Sequence, residues 1–356
     1  MKNDRSQVSA GGAGTFFLSL ASVISAFAVV SLHANSCFRN FDAHARYWIT
    51  ANFIECFFYF AVPVFFMISG ATLLDFFDRY GLGTFFRKRF AKTVVPYCFW
   101  SLFALAFQVF YLKNIPADSV NPAMIRDGLL NGKLLSVYWY FPTLFKVYLC
   151  IPLFAAVDRK NRKKVFIYLA AAGFLLNHLF PFVLDLSGSG IPHPYSVAVV
   201  SKYLIFLPIG WLLKEYDPDR KTSLLIWAAA ILGFALQFFG TWKYSVAAGA
   251  IDDTFREYTN VPCILWSAGV FLAIKKAGCA LSKSMCISRV IRFLSGYTFS
   301  LYLLHWFMLR ILEKEFHVNT FSIFYRLGAP WLIAAAVIGL TWLLRHIPFA
   351  DRILPG

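Results

Sequence analysis

Long apolar stretches alternate with short charged connections along the whole chain. Runs with few charges lie near 14–32, 53–74, 94–112, 134–157, 165–183, 196–213, 223–241, 259–275, 290–312 and 327–344. Each is close to the roughly 20 residues an α-helix needs to cross the hydrocarbon, so the pattern predicts an all-α, polytopic membrane protein of about ten transmembrane helices. The fourth and ninth runs are the weakest, one holding Pro142 and Lys146, the other opening with Arg292 and Gly296. No connection is long enough for a folded soluble domain, and no internal repeat or low-complexity tract interrupts the series. Residues 1–356 therefore read as one membrane-embedded domain.

The connections supply the orientation. One alternating set carries Lys2 and Arg5, the 79–92 cluster, Arg159 to Lys164, Lys214 to Lys221, Lys275 to Arg292, and Arg345 with Arg352. The other set, with Arg39, Arg46, Lys113, Arg126, Lys133, Lys243, Arg256, Arg310, Lys314 and Arg326, holds about half as many cations. Basic loops stay cytoplasmic, so an even number of spans with both termini in the cytoplasm is predicted. The first run follows Lys2 and Arg5 as a secretory signal would, but it is too long for a signal core and lacks a small-residue cleavage site, so it reads as a mature helix.

Composition agrees with a lipid solvent. Of 356 residues, 59% are hydrophobic and 15% charged, against about 25% charged in a soluble chain. Phe alone contributes 40 residues, more than one soluble core holds. The net charge of +16 is distributed in short inter-helix clusters instead of along one polar face, which argues against nucleic acid and for membrane topology. Basic loops and a compact chain point to a bacterial cytoplasmic membrane. Seven Cys residues form no CxxC pair and no metal-like spacing with His, so they read as reduced, structural thiols, and no metal is expected.

Ionisable groups within apolar runs are costly and mark functional candidates. They are His33, Glu55, Lys146, His178, Lys202, His305 and Arg310. His33 closes the first span and could take a proton from a hydroxyl near neutral pH, or simply hydrogen-bond at the interface. His305 follows Tyr302 by about one turn on the same helix face, an arrangement equally suited to an inter-helix hydrogen bond. Pro63 to Gly70 places Pro and Ser69-Gly70 in one helix, either a packing feature or a break that admits a ligand. The cations Arg87, Lys88, Arg89 and Lys92 at a cytoplasmic mouth suit phosphate, although topology alone accounts for them. Trp139 and Tyr148 are either belt aromatics or platforms for a sugar ring.

In their order these pieces carry a resemblance. Ala28 to His33, Val62 to Gly70, Arg87-Lys88-Arg89-Phe90 through Val95-Pro96-Tyr97, Trp139-Tyr140-Phe141 with Tyr148, Phe206 to Gly210, and Ser300 to His305 together resemble the acyltransferase 3 family of integral membrane O-acyltransferases. The resemblance spans nearly the whole chain and implies transfer of an acyl group, usually acetyl, from cytoplasmic acyl-CoA to a carbohydrate hydroxyl. It makes His33 the catalytic residue and gives the cluster Arg87, Lys88, Arg89 and Lys92 the phosphates of acetyl-CoA as partner. His305 and Tyr302 would polarise the thioester carbonyl or orient the acceptor, and Ser69, Trp139 and Tyr148 would contact substrate. Many members carry an Arg eleven residues before the His; here that position is Ser22, and Lys146, Arg89 and Arg292 are the candidates to replace it. Direct attack and a two-step path through acetylated His33 fit the residues equally. The rival readings are a secondary transporter or flippase for a sugar-linked substrate, and a family member that has lost catalysis.

Overall fold

A computed structural model of the chain describes residues 4–188 and 196–356, with side chains from Thr15 onward. The Lys2 and Arg5 charges used for orientation, and the centre of the 184–195 connection, lie outside the described side chains. The described residues form helices without strands. In order they are α1 (Asp4–Ala34), α2 (Arg46–Phe58), α3 (Ala61–Leu73), α4 (Leu82–Arg89), α5 (Val95–Ala106), α6 (Pro122–Asn131), α7 (Tyr140–Ala155) and α8 (Arg159–Gly173). There follow α9 (Phe180–Leu186), α10 (Phe206–Glu215), α11 (Arg220–Ala248), α12 (Val261–Leu281), α13 (Met285–Ser295), α14 (Thr298–Phe316), α15 (Ile323–Leu344) and α16 (Ala350–Ile353).

Among the described residues, eight helical stretches are long and apolar enough to cross a membrane. They coincide with the first five, the seventh, the eighth and the tenth predicted runs. The other two runs are helical but differ from expectation. The sixth gives only the ten-residue α10, which runs on to Glu215, after short 3-10 turns at Ala198–Val200 and Lys202–Ile205, about 15 Å of helix. The ninth is divided at Gly296-Tyr297 into α13 and α14, and the last two turns of α14 carry Arg310, Glu313, Lys314 and Glu315. Hydropathy averaged over a window cannot see such a break.

The bundle sorts its helices by burial. α1 is central, touching α3, α12, α14 and α15, so the first run is part of the folded domain. The α2–α3 stretch is 67% buried across its apolar window, whereas Arg159–Leu186 is 17% buried. Outer helices turn Leu149, Leu153, Leu225, Ile231 and Trp331 outward, an apolar belt that water would penalise and lipid solvates. All seven cysteines are free thiols.

Two features of α2–α3 position the site. The helix breaks at Tyr59-Phe60, where Pro63 lacks the N–H that would bond the Tyr59 carbonyl four residues earlier. That carbonyl instead accepts from the Cys263 thiol at 3.8 Å, and Phe57 O accepts from Trp266 Nε1 at 3.0 Å, so α12 covers the gap. Further along, Gly70 lies so close to α10 that a Cβ would sit 2.2 Å from Leu207 O, and a Cβ on Gly210 would sit 2.1 Å from Met67 O. Reciprocal glycines let the two backbones touch.

Hydrogen bonds gather the connections of the basic set at one end. Asp75 binds Arg162 at 2.7 Å and Lys214 at 3.4 Å. Lys275 Nζ donates to the Leu213 and Lys214 carbonyls, and Arg345 Nη2 to Gly296 O. Arg162 is 5% exposed and draws its only carboxylate partner among the described residues from Asp75. Asp75→Ala should therefore lower stability by about 3 kcal/mol, since removing one partner strands a buried charge. A thermal melt in detergent checks this, with Asp127→Ala, in an exposed pair with Arg126, as the near-neutral control.

Candidate active site

At the opposite end the helices splay around a polar cavity of about 590 Å³. His33 reaches it from the last turn of α1, Glu55 from α2, Trp139 from the 3-10 turn before α7, and Tyr302, Trp306 and Arg310 from α14. The connection between α11 and α12 dips inward to add Asp253, Arg256 and Tyr258, and the turn after α1 adds Arg39. Irregular backbone at this depth is tolerated because it lines a cavity instead of facing lipid.

The end of α1 is held firmly. Asn35 Nδ2 donates to Ala51 O at 2.8 Å. Arg326 of α15, 2% exposed, donates to Thr50 Oγ1 at 2.9 Å and Tyr47 O at 3.3 Å. These bonds lock α1, α2 and α15 together just beyond His33 and fix where its imidazole projects.

His305 is fully buried beside it, the two ring centroids 5.0 Å apart and tilted by 34°. His305 Nδ1 lies 2.7 Å from Tyr302 O and 3.1 Å from Leu301 O. Carbonyls only accept, so Nδ1 carries the proton and Nε2 of the neutral ring holds a lone pair. That Nε2 is buried without a protein partner among the described residues. Tyr302 lines the cavity, but its hydroxyl donates to Val137 O at 2.5 Å. Its proton is thus engaged in tying α14 to the start of α7, as Tyr138 also does by donating to Leu303 O at 2.8 Å.

Glu55 and Arg256 form an ion pair of 3.1 Å, and Asp253 also pairs with Arg256. The guanidinium packs against Phe38 and Tyr59. Burial works against its charge, but Tyr59, Glu55 and Asp253 together outweigh burial and reinforce the charged form. Tyr258 stacks between Tyr59, with centroids 4.1 Å apart, and Trp139, at 5.5 Å. Burial beside Glu55 holds the Tyr258 phenol well above the ordinary tyrosine range, so it stays protonated. Arg310 binds Glu313 at 2.8 Å.

The remaining candidates lie elsewhere. Ser69 turns its hydroxyl to Phe65 O at 3.1 Å within α3 and does not line the cavity. Tyr148 sits toward the other end, with the Arg89 guanidinium 6.0 Å over its ring. Arg87, Lys88 and Lys92 are exposed there, Lys88 lying over Tyr80 and Lys92 donating to Gly356 O. His178 and Lys202 line a neighbouring cavity. None of Lys146, Arg89 and Arg292 reaches the cavity of His33, and Lys146 and Arg292 are exposed on α7 and α13. Sequence reading named His33, His305, Tyr302, Trp139, Glu55 and Arg310 but missed Arg39, Asp253, Arg256 and Tyr258. Those four sit in connections, where charge reads as solvated loop; a basic residue on the side poor in Lys and Arg was the one available signal.

No curated protein and no solved structure matches the chain. The family described as an acyltransferase domain matches residues 17–345, nearly the full length and every element of this site. The chain therefore belongs to the acyltransferase 3 family, and it is a multi-pass membrane acyltransferase.

Proposed function

We propose that this acyltransferase moves an acetyl or other short acyl group from cytoplasmic acyl-CoA to a hydroxyl of a cell-envelope or exported carbohydrate, in a bacterial cytoplasmic membrane. The observation that carries this reading is His33 at the wall of a polar cavity large enough for a sugar ring, with the buried His305 ring packed beside it. His33 takes the proton of the acceptor hydroxyl as its oxygen attacks the thioester carbonyl; the C–O bond forms, the C–S bond breaks, and the CoA thiolate recovers the proton from His33. His305 acts as a positioning residue, its Nε2 lone pair favouring the His33 imidazolium while charge develops. Trp139 and Tyr258 offer an aromatic wall to the apolar face of a pyranose.

At the opposite face, Arg87, Lys88, Arg89 and Lys92 suit the phosphates of CoA. Arg89→Gln should raise KM for acetyl-CoA about tenfold with little change in kcat, since a charge-assisted hydrogen bond made equally in the ground state and the transition state acts on KM alone. Steady-state kinetics on protein in nanodiscs reads this directly, and an unchanged KM would remove the donor role of Arg89.

Labelled acetyl-CoA supplied to the purified protein with an acceptor glycan tests the function itself. Transfer of label to the glycan supports it, whereas acyl-CoA-independent uptake of a sugar-linked substrate into liposomes holding only this protein would replace it with transport. Rapid quench without acceptor separates the two chemical routes: label on the protein means an acetyl-His33 intermediate, and its absence means direct attack.

A further inference from the structure

Cations on the side of the molecule that is poor in Lys and Arg converge on the candidate active site. Arg39, Arg256 and Arg310 all line the cavity of His33, and orientation in the membrane explains none of them. Their partners differ. Arg256 uses both carboxylates of the cavity wall, Glu55 and Asp253, and Arg310 uses Glu313. Arg39 has no carboxylate within ion-pair distance among the described residues, and its side chain is exposed to the cavity. It shares the cavity wall with His33 and Glu55, so it lies within the site and not on a remote rim. Among the described residues, Arg39 is thus the one guanidinium of the cavity wall with no carboxylate in ion-pair contact.

A neutral sugar gives that charge nothing to pair with, whereas a carboxylate or phosphate on the acceptor would meet a planar fork of N–H donors. We propose that the acceptor is an anionic saccharide, bearing a uronic carboxylate or a phosphate ester, whose charged group pairs with Arg39 while a hydroxyl nearby is presented to His33. This inference rests on the acyltransferase reading. It extends that reading by assigning the acceptor's charge and the residue that selects it.

The test uses the full-length protein in nanodiscs with two matched pairs of probes: a glucuronate-containing disaccharide with its methyl ester, and a sugar phosphate with its dephosphorylated form. Equilibrium binding and transfer of labelled acetyl are read separately. Wild-type protein should bind at least one anionic probe about tenfold more tightly than its neutral counterpart, the scale of one hydrogen-bonded charge contact. Arg39→Gln should collapse that preference to within about twofold, and Arg39→Lys should retain most of it. Which pair shows the preference tells carboxylate from phosphate. Equal binding of charged and neutral probes by the wild type, or a preference undiminished in Arg39→Gln, would overturn the inference. Selective binding with no transfer to any probe would instead count against the acyltransferase mechanism while leaving the anion selectivity standing.

Discussion

Replacing His33 with Ala should abolish acyl transfer to within the background, a fall of about 10²–10⁴-fold in kcat for loss of a positioned general base. The protein should still fold, because His33 only lines a cavity, and the bonds that anchor the end of α1 belong to Asn35 and Arg326. The measurement is the O-acetyl content of purified envelope polysaccharides from cells carrying wild type, a deletion, or His33→Ala at equal expression. Loss in both mutants fits the mechanism. Loss in the deletion alone would move the base to another residue, and no change in either would point to transport. His305→Ala is a different experiment: it removes an acceptor that never touches substrate, so kcat should fall less than in His33→Ala while KM for both substrates holds. His305→Gln should recover part of the loss, because an amide oxygen restores an acceptor.

Gly210→Val should prevent the bundle from assembling at all. Even Ala there would put a Cβ 2.1 Å from Met67 O, and Ala at Gly70 a Cβ 2.2 Å from Leu207 O. The obstacle in each case is backbone, which cannot swing aside as the end of a flexible side chain can. Overpacking of this kind costs about 1–3 kcal/mol per site, with the larger Val beyond it. We expect each Ala variant to melt earlier in detergent and the Val variant to be lost from the membrane fraction. Gly339→Ala is the matched control, since its Cβ would meet nothing within 4 Å. Equal melting of Gly70→Ala, Gly210→Ala and the control would show that α3 and α10 do not pack as described. Both glycines lie in stretches that carried the family resemblance, Val62 to Gly70 and Phe206 to Gly210. Their close approach gives those stretches a packing role, while Ser69 bonds Phe65 O within its own helix.

Amino-acid order by itself determined the class of this protein and singled out His33 and His305 among its seven histidines. Membrane helices are legible because their signal is local: about twenty neighbouring residues share one solvent, and His33 and His305 stand out as costly exceptions to it. Loop charge likewise divided the connections into two sets, and the pairing of Asp75 with Arg162 and Lys214 joins members of the basic set. Tertiary structure decided the rest. Pro63 marked a disturbance in the second run, but only the contacts with Cys263 and Trp266 put the break at Tyr59-Phe60. The short α10 and the division at Gly296 were averaged away by window hydropathy. Tyr302 had the right spacing for chemistry, yet its hydroxyl is taken by Val137, 165 residues earlier. Arg256 read as an ordinary loop cation until folding brought it to Glu55 across 201 residues. A polar residue in a connection becomes part of a site only when its loop dips between helices, and that depends on contacts distant in the chain that no local pattern encodes.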